Sequence, residues 1–116
     1  MHFSTSEVIH APRDAVFAAI TDFDAIERQV IRAGGTLTRT GGHGPETTWQ
    51  GTASFRGTER DFTSRVADWT PPGGYRLASE TSGLDALVDL RCIAVNEATT
   101  RLEILVDLKP RSMKAR

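Results

Sequence analysis

The segment from Val8 to Phe23, with the sequence VIHAPRDAVFAAITDF, holds the signals from which the fold can be predicted. Its first residues continue a strand-like run that begins at Phe3, because Ser, Thr, Val and Ile favour extended backbone. Pro12 then ends the strand, and proline suits the first turn of a helix, where its missing N–H costs nothing. The apolar spacing that follows predicts a short helix over residues 14–21.

A second helix is predicted to follow at once. Asp24 and Glu27 have the spacing of a capping box, in which the two side chains satisfy free backbone N–H groups at the start of a helix. Gly34 and Gly35 are expected to end this helix. Its buried stripe is predicted to consist of Phe23, Ile26 and Val30, with Ile31 as a further candidate.

From Thr36 onward, strand-like segments alternate with turn signals. The predicted strands cover residues 36–40, 47–56, 58–69, 75–81, 84–95 and 101–108. Strands joined by turns this short are antiparallel neighbours, and their period-two alternation predicts one apolar and one wet face. The fold class is therefore predicted as α+β, with a curved antiparallel sheet of about six to seven strands and two short helices after the first strand.

This order of elements resembles the helix-grip fold of the START-like, or SRPBCC, superfamily. A strand, the break at Ala11 and Pro12, Val-Phe in the first helix and Thr-Asp-Phe before the second are typical of its members. Within the superfamily, the chain is most similar to the polyketide cyclase/dehydrase-like group and to proteins resembling a small subunit of carbon monoxide dehydrogenase. The resemblance covers the whole chain and implies a cavity for a hydrophobic small molecule, such as a lipid, quinone or polyketide-like compound.

The C-terminus departs from this pattern. Members of the superfamily end in a long helix that lies across the concave sheet, whereas residues 110–116 correspond to the first turn of such a helix. A single turn is not a stable helix on its own. We therefore expect a truncated form of a longer protein, and self-association through the uncovered concave face, since monomers rarely expose large apolar patches.

Composition excludes several classes of function. The chain has 116 residues, a formal net charge of −1 and a single cysteine, Cys92. Nucleic-acid binding needs clustered Lys and Arg, which this balance lacks, and no apolar run approaches the roughly 20 residues of a transmembrane helix. The sequence has no signal-peptide pattern. It therefore predicts one domain, residues 1–116, in the cytoplasm.

The alternating pattern also predicts the ligand-binding residues on the apolar face. Small side chains interleaved among larger ones leave room for a ligand, although the same residues could form a filled core. Arg60 shares this face with Phe62, because residues two apart in a strand point the same way. The predicted ligand-binding set is Trp49, Ala53, Phe55, Arg60, Phe62, Leu77, Ser79, Val88, Leu90, Leu102 and Ile104.

No catalytic residue, metal site or cofactor is predicted. His2, His10 and His43 lack the spacing of metal ligands, and a lone Cys92 on an apolar face is typical of a small buried side chain. Arg76 and Glu80 share the outer face of one strand and are predicted to form a solvated ion pair. Two alternatives stay open: a polyketide cyclase/dehydratase-like enzyme, which needs an inward acid or base, and a protein-interaction or assembly module.

Overall fold

The computed structural model describes residues 1–55 and 57–111, except for the side chain of Phe55. In this part of the chain, seven strands and two helices follow the predicted order. They are β1 (His2–Ile9), α1 (Arg13–Ile20), α2 (Phe23–Arg32), β2 (Thr36–Thr40), β3 (Thr48–Phe55), β4 (Thr58–Thr70), β5 (Gly74–Thr81), β6 (Leu84–Asn96) and β7 (Thr99–Pro110). The predicted α+β class is confirmed.

The strands form one antiparallel sheet in the order β1-β7-β6-β5-β4-β3-β2. Directly paired residues share a face, so the register identifies the concave face. One row across it runs Val66, Leu77, Val88, Val106 and Phe3. This is the face that alternation predicted to be apolar.

Helix α1 begins after Pro12 and places Val16 and Phe17 in the core. The ring of Phe17 meets those of Trp69 and Tyr75 edge-on, with centroids 5.4 and 6.4 Å away. Such contacts add to the gain from burying apolar surface. Helix α1 thereby covers the end of the sheet that carries the β4–β5 and β6–β7 turns.

Helix α2 differs from the prediction at two points. Its N-cap is Asp22, whose Oδ1 accepts a hydrogen bond from the Ala25 N–H at 3.2 Å, so the predicted cap at Asp24 is wrong. The predicted buried stripe is only partly right: Phe23 is 1% exposed, but Ile26 and Ile31 are 41% and 59% exposed. Helix α2 packs mainly on the short edge strand β2, which is too narrow to cover the whole stripe.

The C-terminal part of the prediction is only partly within reach of the structure. Pro110 extends β7 opposite Leu84, and the Arg111 N–H donates to the Gly83 carbonyl oxygen at 3.0 Å, so these residues continue the sheet. The rest of the predicted terminal turn, residues 112–116, lies outside the described residues.

The two helices cover only part of the concave face, and the molecule is elongated as a result. Its extents are 51 × 27 × 26 Å and its radius of gyration is 15.3 Å, against about 13 Å for a compact domain of this length. Over residues 1–55 and 57–111, neither helix has the length or the apolar character to span a bilayer.

Candidate functional site

The half of the concave face under the helices is a filled aromatic core. Phe23 lies at its centre, with its ring centroid 4.9 Å from that of Trp49 and 6.0 Å from that of Tyr75. The Tyr75 hydroxyl donates to the Ile20 carbonyl oxygen at 2.6 Å, which ties β5 to the end of α1. Side chains packed this closely leave no room for a ligand in this half.

Two groups with acid–base chemistry are buried in this core, and both keep their protons at neutral pH. Burial, reinforced by the nearby Cys92 thiol, raises the pKa of Tyr75 to about 12. Burial also raises the pKa of Cys92, and the Arg13 guanidinium only partly opposes this effect. Neither group is therefore suited to general acid or base catalysis near pH 7, which needs a pKa close to the working pH.

The other half of the concave face is an open groove of about 490 Å³. It lies at the opposite end of the sheet, where the β3–β4 and β5–β6 turns and the end of β7 meet. Its lining is mostly apolar and consists of Ala53, Arg60, Phe62, Thr81, Ser82, Leu84 and Leu108. A volume of this size is within the range of small-molecule sites.

The structure divides the predicted ligand-binding residues into three groups. Ala53, Arg60 and Phe62 line the groove. Ser79, Val88 and Ile104 are half-buried on the same face, between groove and core. Those belonging to the core or packed against it are Trp49, Leu77, Leu90 and Leu102. Phe55 is in β3, but its side chain lies outside the described part of the chain.

Four groove residues were missed in the prediction. They are Thr81, Ser82, Leu84 and Leu108. The register Phe62–Thr81–Leu84 places Thr81 and Leu84 in one row beside Phe62. Reading cross-strand rows outward from Phe62 would have found both, whereas Ser82 in the turn carries no such signal.

The hydroxyl groups near the groove are already hydrogen-bonded. The Ser64 and Ser79 hydroxyls lie 2.7 Å apart on the concave face. The Thr81 hydroxyl donates to the Asp61 carbonyl oxygen at 2.7 Å. Because buried hydroxyl groups need partners, these bonds allow polar side chains to lie on an otherwise apolar surface.

Arg60 differs from the arginines that the structure pairs with acids. Arg76 binds Asp89 at 2.6 Å and Arg111 binds Asp85 at 3.2 Å. Within the described residues, Arg60 has no ion pair and is exposed beside the groove, opposite Ala53 in the register. It is also the one charged member of the described lining.

A polar cluster joins α2 to the sheet, away from the groove. Glu27 Oε2 accepts a hydrogen bond from Trp49 Nε1 at 2.8 Å and lies 3.1 Å from Arg39 Nε. A hydrogen bond from Arg39 also lowers the pKa of Asp24, so both acids bind the sheet instead of capping the helix. Across residues 1–55 and 57–111, no three His, Cys, Asp or Glu side chains are grouped to hold a metal ion.

Solved structures with the same fold cover nearly all of this chain. The Zhui aromatase/cyclase from Streptomyces sp. R1128 aligns with a TM-score of 0.72 and 15% identity, over 97% of this chain and 69% of that one. A START superfamily protein from Mycobacterium smegmatis gives 0.71 and 14%, over 97% and 79%. PFC0360w, an HSP90 activator from Plasmodium falciparum, gives 0.67 and 18%, over 100% and 79%. Identities this low show the fold alone.

Sequence comparison adds the family. A search of curated proteins found no match. The model of a family described as "Polyketide cyclase / dehydrase and lipid transport" matches residues 1–115. Since that match spans almost the whole chain and the fold agrees, this chain belongs to the polyketide cyclase/dehydrase and lipid transport family.

Proposed function

We propose that this chain binds a hydrophobic small molecule in the open groove at the uncovered end of the concave face. The observation that carries the proposal is the groove itself, about 490 Å³ in volume. Phe62, Leu84 and Leu108 supply its apolar wall. Covering such a wall with a ligand gains roughly 25 cal/mol for each Å² of apolar surface removed from water.

The chemistry of the described residues favours binding over catalysis. The groove lining holds no histidine or carboxylate within the described part of the chain. Tyr75 and Cys92 are buried in the aromatic core and stay protonated near neutral pH. Neither the cyclase-like enzyme nor the assembly module has a specific observation in its favour among these residues.

A matched pair of substitutions tests the proposal. Ala53 lines the groove and is exposed, so Ala53→Trp should fill the space without disturbing the core. Ser54→Trp places the same ring on the opposite face of the same strand, because successive residues alternate. Binding of the neutral fluorescent probe N-phenyl-1-naphthylamine is then measured by titration of each variant.

The expected result is probe binding by the unmodified chain, a loss of about tenfold or more in affinity for Ala53→Trp, and no change for Ser54→Trp. A tenfold loss corresponds to about 1.4 kcal/mol, which is modest for blocking an apolar site. Equal affinities for all three proteins would move the ligand site away from this groove. Thermal melts of both variants check that each protein is folded.

Two coarser expectations from the sequence also remain proposals. We place the protein in the cytoplasm, which cell fractionation of a tagged chain would test. We further expect two copies to associate through the groove when no ligand covers it, since an exposed apolar patch is a frequent site of association.

A further inference from the structure

The apolar groove contains a single positive charge among its described lining residues. Arg60 stands at the start of β4, two residues before Phe62, and therefore shares the concave face with it. The acidic neighbours Glu59 and Asp61 alternate to the other face of the same strand. The groove thus combines an apolar wall with one guanidinium group.

The paired arginines show why Arg60 is available for a ligand. Arg111, at the rim of the groove, donates to the Thr81 carbonyl oxygen and lies 3.2 Å from Asp85. Arg76 holds Asp89 with two hydrogen bonds of 2.6 and 3.1 Å on the opposite face. No ion pair links Arg60 to any residue between 1 and 55 or between 57 and 111.

Building on the proposed function, we infer that the ligand is an amphiphile with one carboxylate, which Arg60 binds at the edge of the groove. The apolar body then lies against Phe62, Leu84 and Leu108. A guanidinium group matches a carboxylate with two parallel N–H donors, and charge-assisted hydrogen bonds of this kind are among the strongest in proteins. Because Arg60 is exposed, the head group keeps part of its hydration while the apolar body leaves water.

Three ligands of equal chain length separate charge from apolar burial. Decanoate, 1-decanol and decylamine are titrated by calorimetry against the unmodified chain and against Arg60→Gln, Arg60→Lys and Arg65→Gln. Arg65 is the matched control, because it is an exposed arginine of the same strand on the opposite face. Thermal melts confirm that each variant is folded.

The inference predicts that decanoate binds about tenfold more tightly than 1-decanol, and decylamine most weakly. Arg60→Gln should remove the tenfold preference and leave the affinity for 1-decanol unchanged. Arg60→Lys should restore part of the preference, and Arg65→Gln should alter nothing. The preference should also shrink at high salt, since exposed charges are screened.

The outcomes distinguish this inference from the proposed function. If decanoate and 1-decanol bind equally, or if Arg60→Gln leaves the preference intact, the role of Arg60 is overturned while binding in the groove stands. If none of the three ligands nor N-phenyl-1-naphthylamine binds the unmodified chain, the proposed function itself fails. Tighter binding of decylamine than of decanoate would also overturn the inference.

Discussion

Arg76 and Asp89 form the best-ordered ion pair on the outer face of the sheet. They are directly opposite each other in the β5–β6 register, and the guanidinium donates two hydrogen bonds of 2.6 and 3.1 Å to the carboxylate. The predicted pairing of Arg76 with Glu80 is therefore wrong. Glu80 faces Asp85 in the register instead. Strand alternation predicts the face of a charge, but its partner depends on register, which the sequence specifies only weakly.

Replacing Asp89 with Asn should reduce stability in a pH-dependent manner. The hydrogen bonds from Arg76 hold the folded-state pKa of Asp89 below its usual value of 3.8. A depressed pKa contributes stability above the unfolded-state pKa, and this contribution disappears as pH falls through the lower folded-state value. We expect Asp89→Asn to cost about 1 kcal/mol at pH 7, and the difference from the unmodified chain to shrink below pH 4.

Urea unfolding at pH 7 and at pH 3 measures this effect. The control is Glu97→Gln in the β6–β7 turn, where the side chain is exposed and should contribute little at either pH. A gap between Asp89→Asn and the unmodified chain that stays constant across this range would contradict the assignment of the pair.

Among the elements, α2 is the one for which the sequence misled most. Asp22, Asp24 and Glu27 all lie near its start, and the capping-box spacing favours Asp24. In the structure, Arg39 and Trp49 draw the side chains of Asp24 and Glu27 towards the sheet. A tertiary contact thus overrides a local signal. The strands were predicted more closely because their alternation and the burial of one face support each other.

The position of the α2 cap gives a direct test. Asp22→Ala removes the acceptor for the Ala25 N–H, which should cost about 1 kcal/mol of unfolding free energy. Asp24→Ala removes only an exposed ion pair with Arg39, whose worth is smaller. Chemical denaturation of both variants should therefore find Asp22→Ala the less stable. The reverse order would favour a cap at Asp24.

Gly51 fixes how closely the edge strand β2 approaches β3. A Cβ atom at this position would overlap the Thr36 carbonyl oxygen and lie 2.8 Å from the Leu37 Cα atom. Gly51→Ala should therefore push β2 away and cost about 2 kcal/mol, as overpacking commonly does. Gly44→Ala is the control, because no atom lies within 4 Å of the added Cβ.

Hydrogen exchange locates the damage as well as its size. Amide protons of β2 should exchange faster in Gly51→Ala than in the unmodified chain, whereas those of β6 and β7 should change little. Denaturation curves that coincide for Gly51→Ala and Gly44→Ala would contradict the close approach of the two strands.

At the scale of the whole molecule, the sequence predicted the apolar face but not how it is divided. Trp49 and Ala53 belong to the same face of β3, yet Trp49 is buried in the core and Ala53 lines the groove. The difference arises from where α1 and α2 lie over the sheet. Periodicity along one strand carries no information about which end a helix covers.

The expected self-association is also a property of the whole molecule. Leu84→Glu places a charge in the groove, whereas Thr63→Glu places one on the exposed outer face of β4. In sedimentation velocity over a range of concentrations, we expect the unmodified chain and Thr63→Glu to associate and Leu84→Glu to stay monomeric. A monomer at every concentration for the unmodified chain would refute the expectation.

The aromatic core and the groove occupy opposite ends of the elongated sheet, so integrity and recognition are separately tunable. Substitutions at Ala53, Leu84 or Leu108 can diversify what the protein recognises without eroding the cluster around Phe23. Phe62 is the exception, because it both lines the groove and packs against the core. Evolutionary drift in specificity should consequently be easiest everywhere in the groove but there.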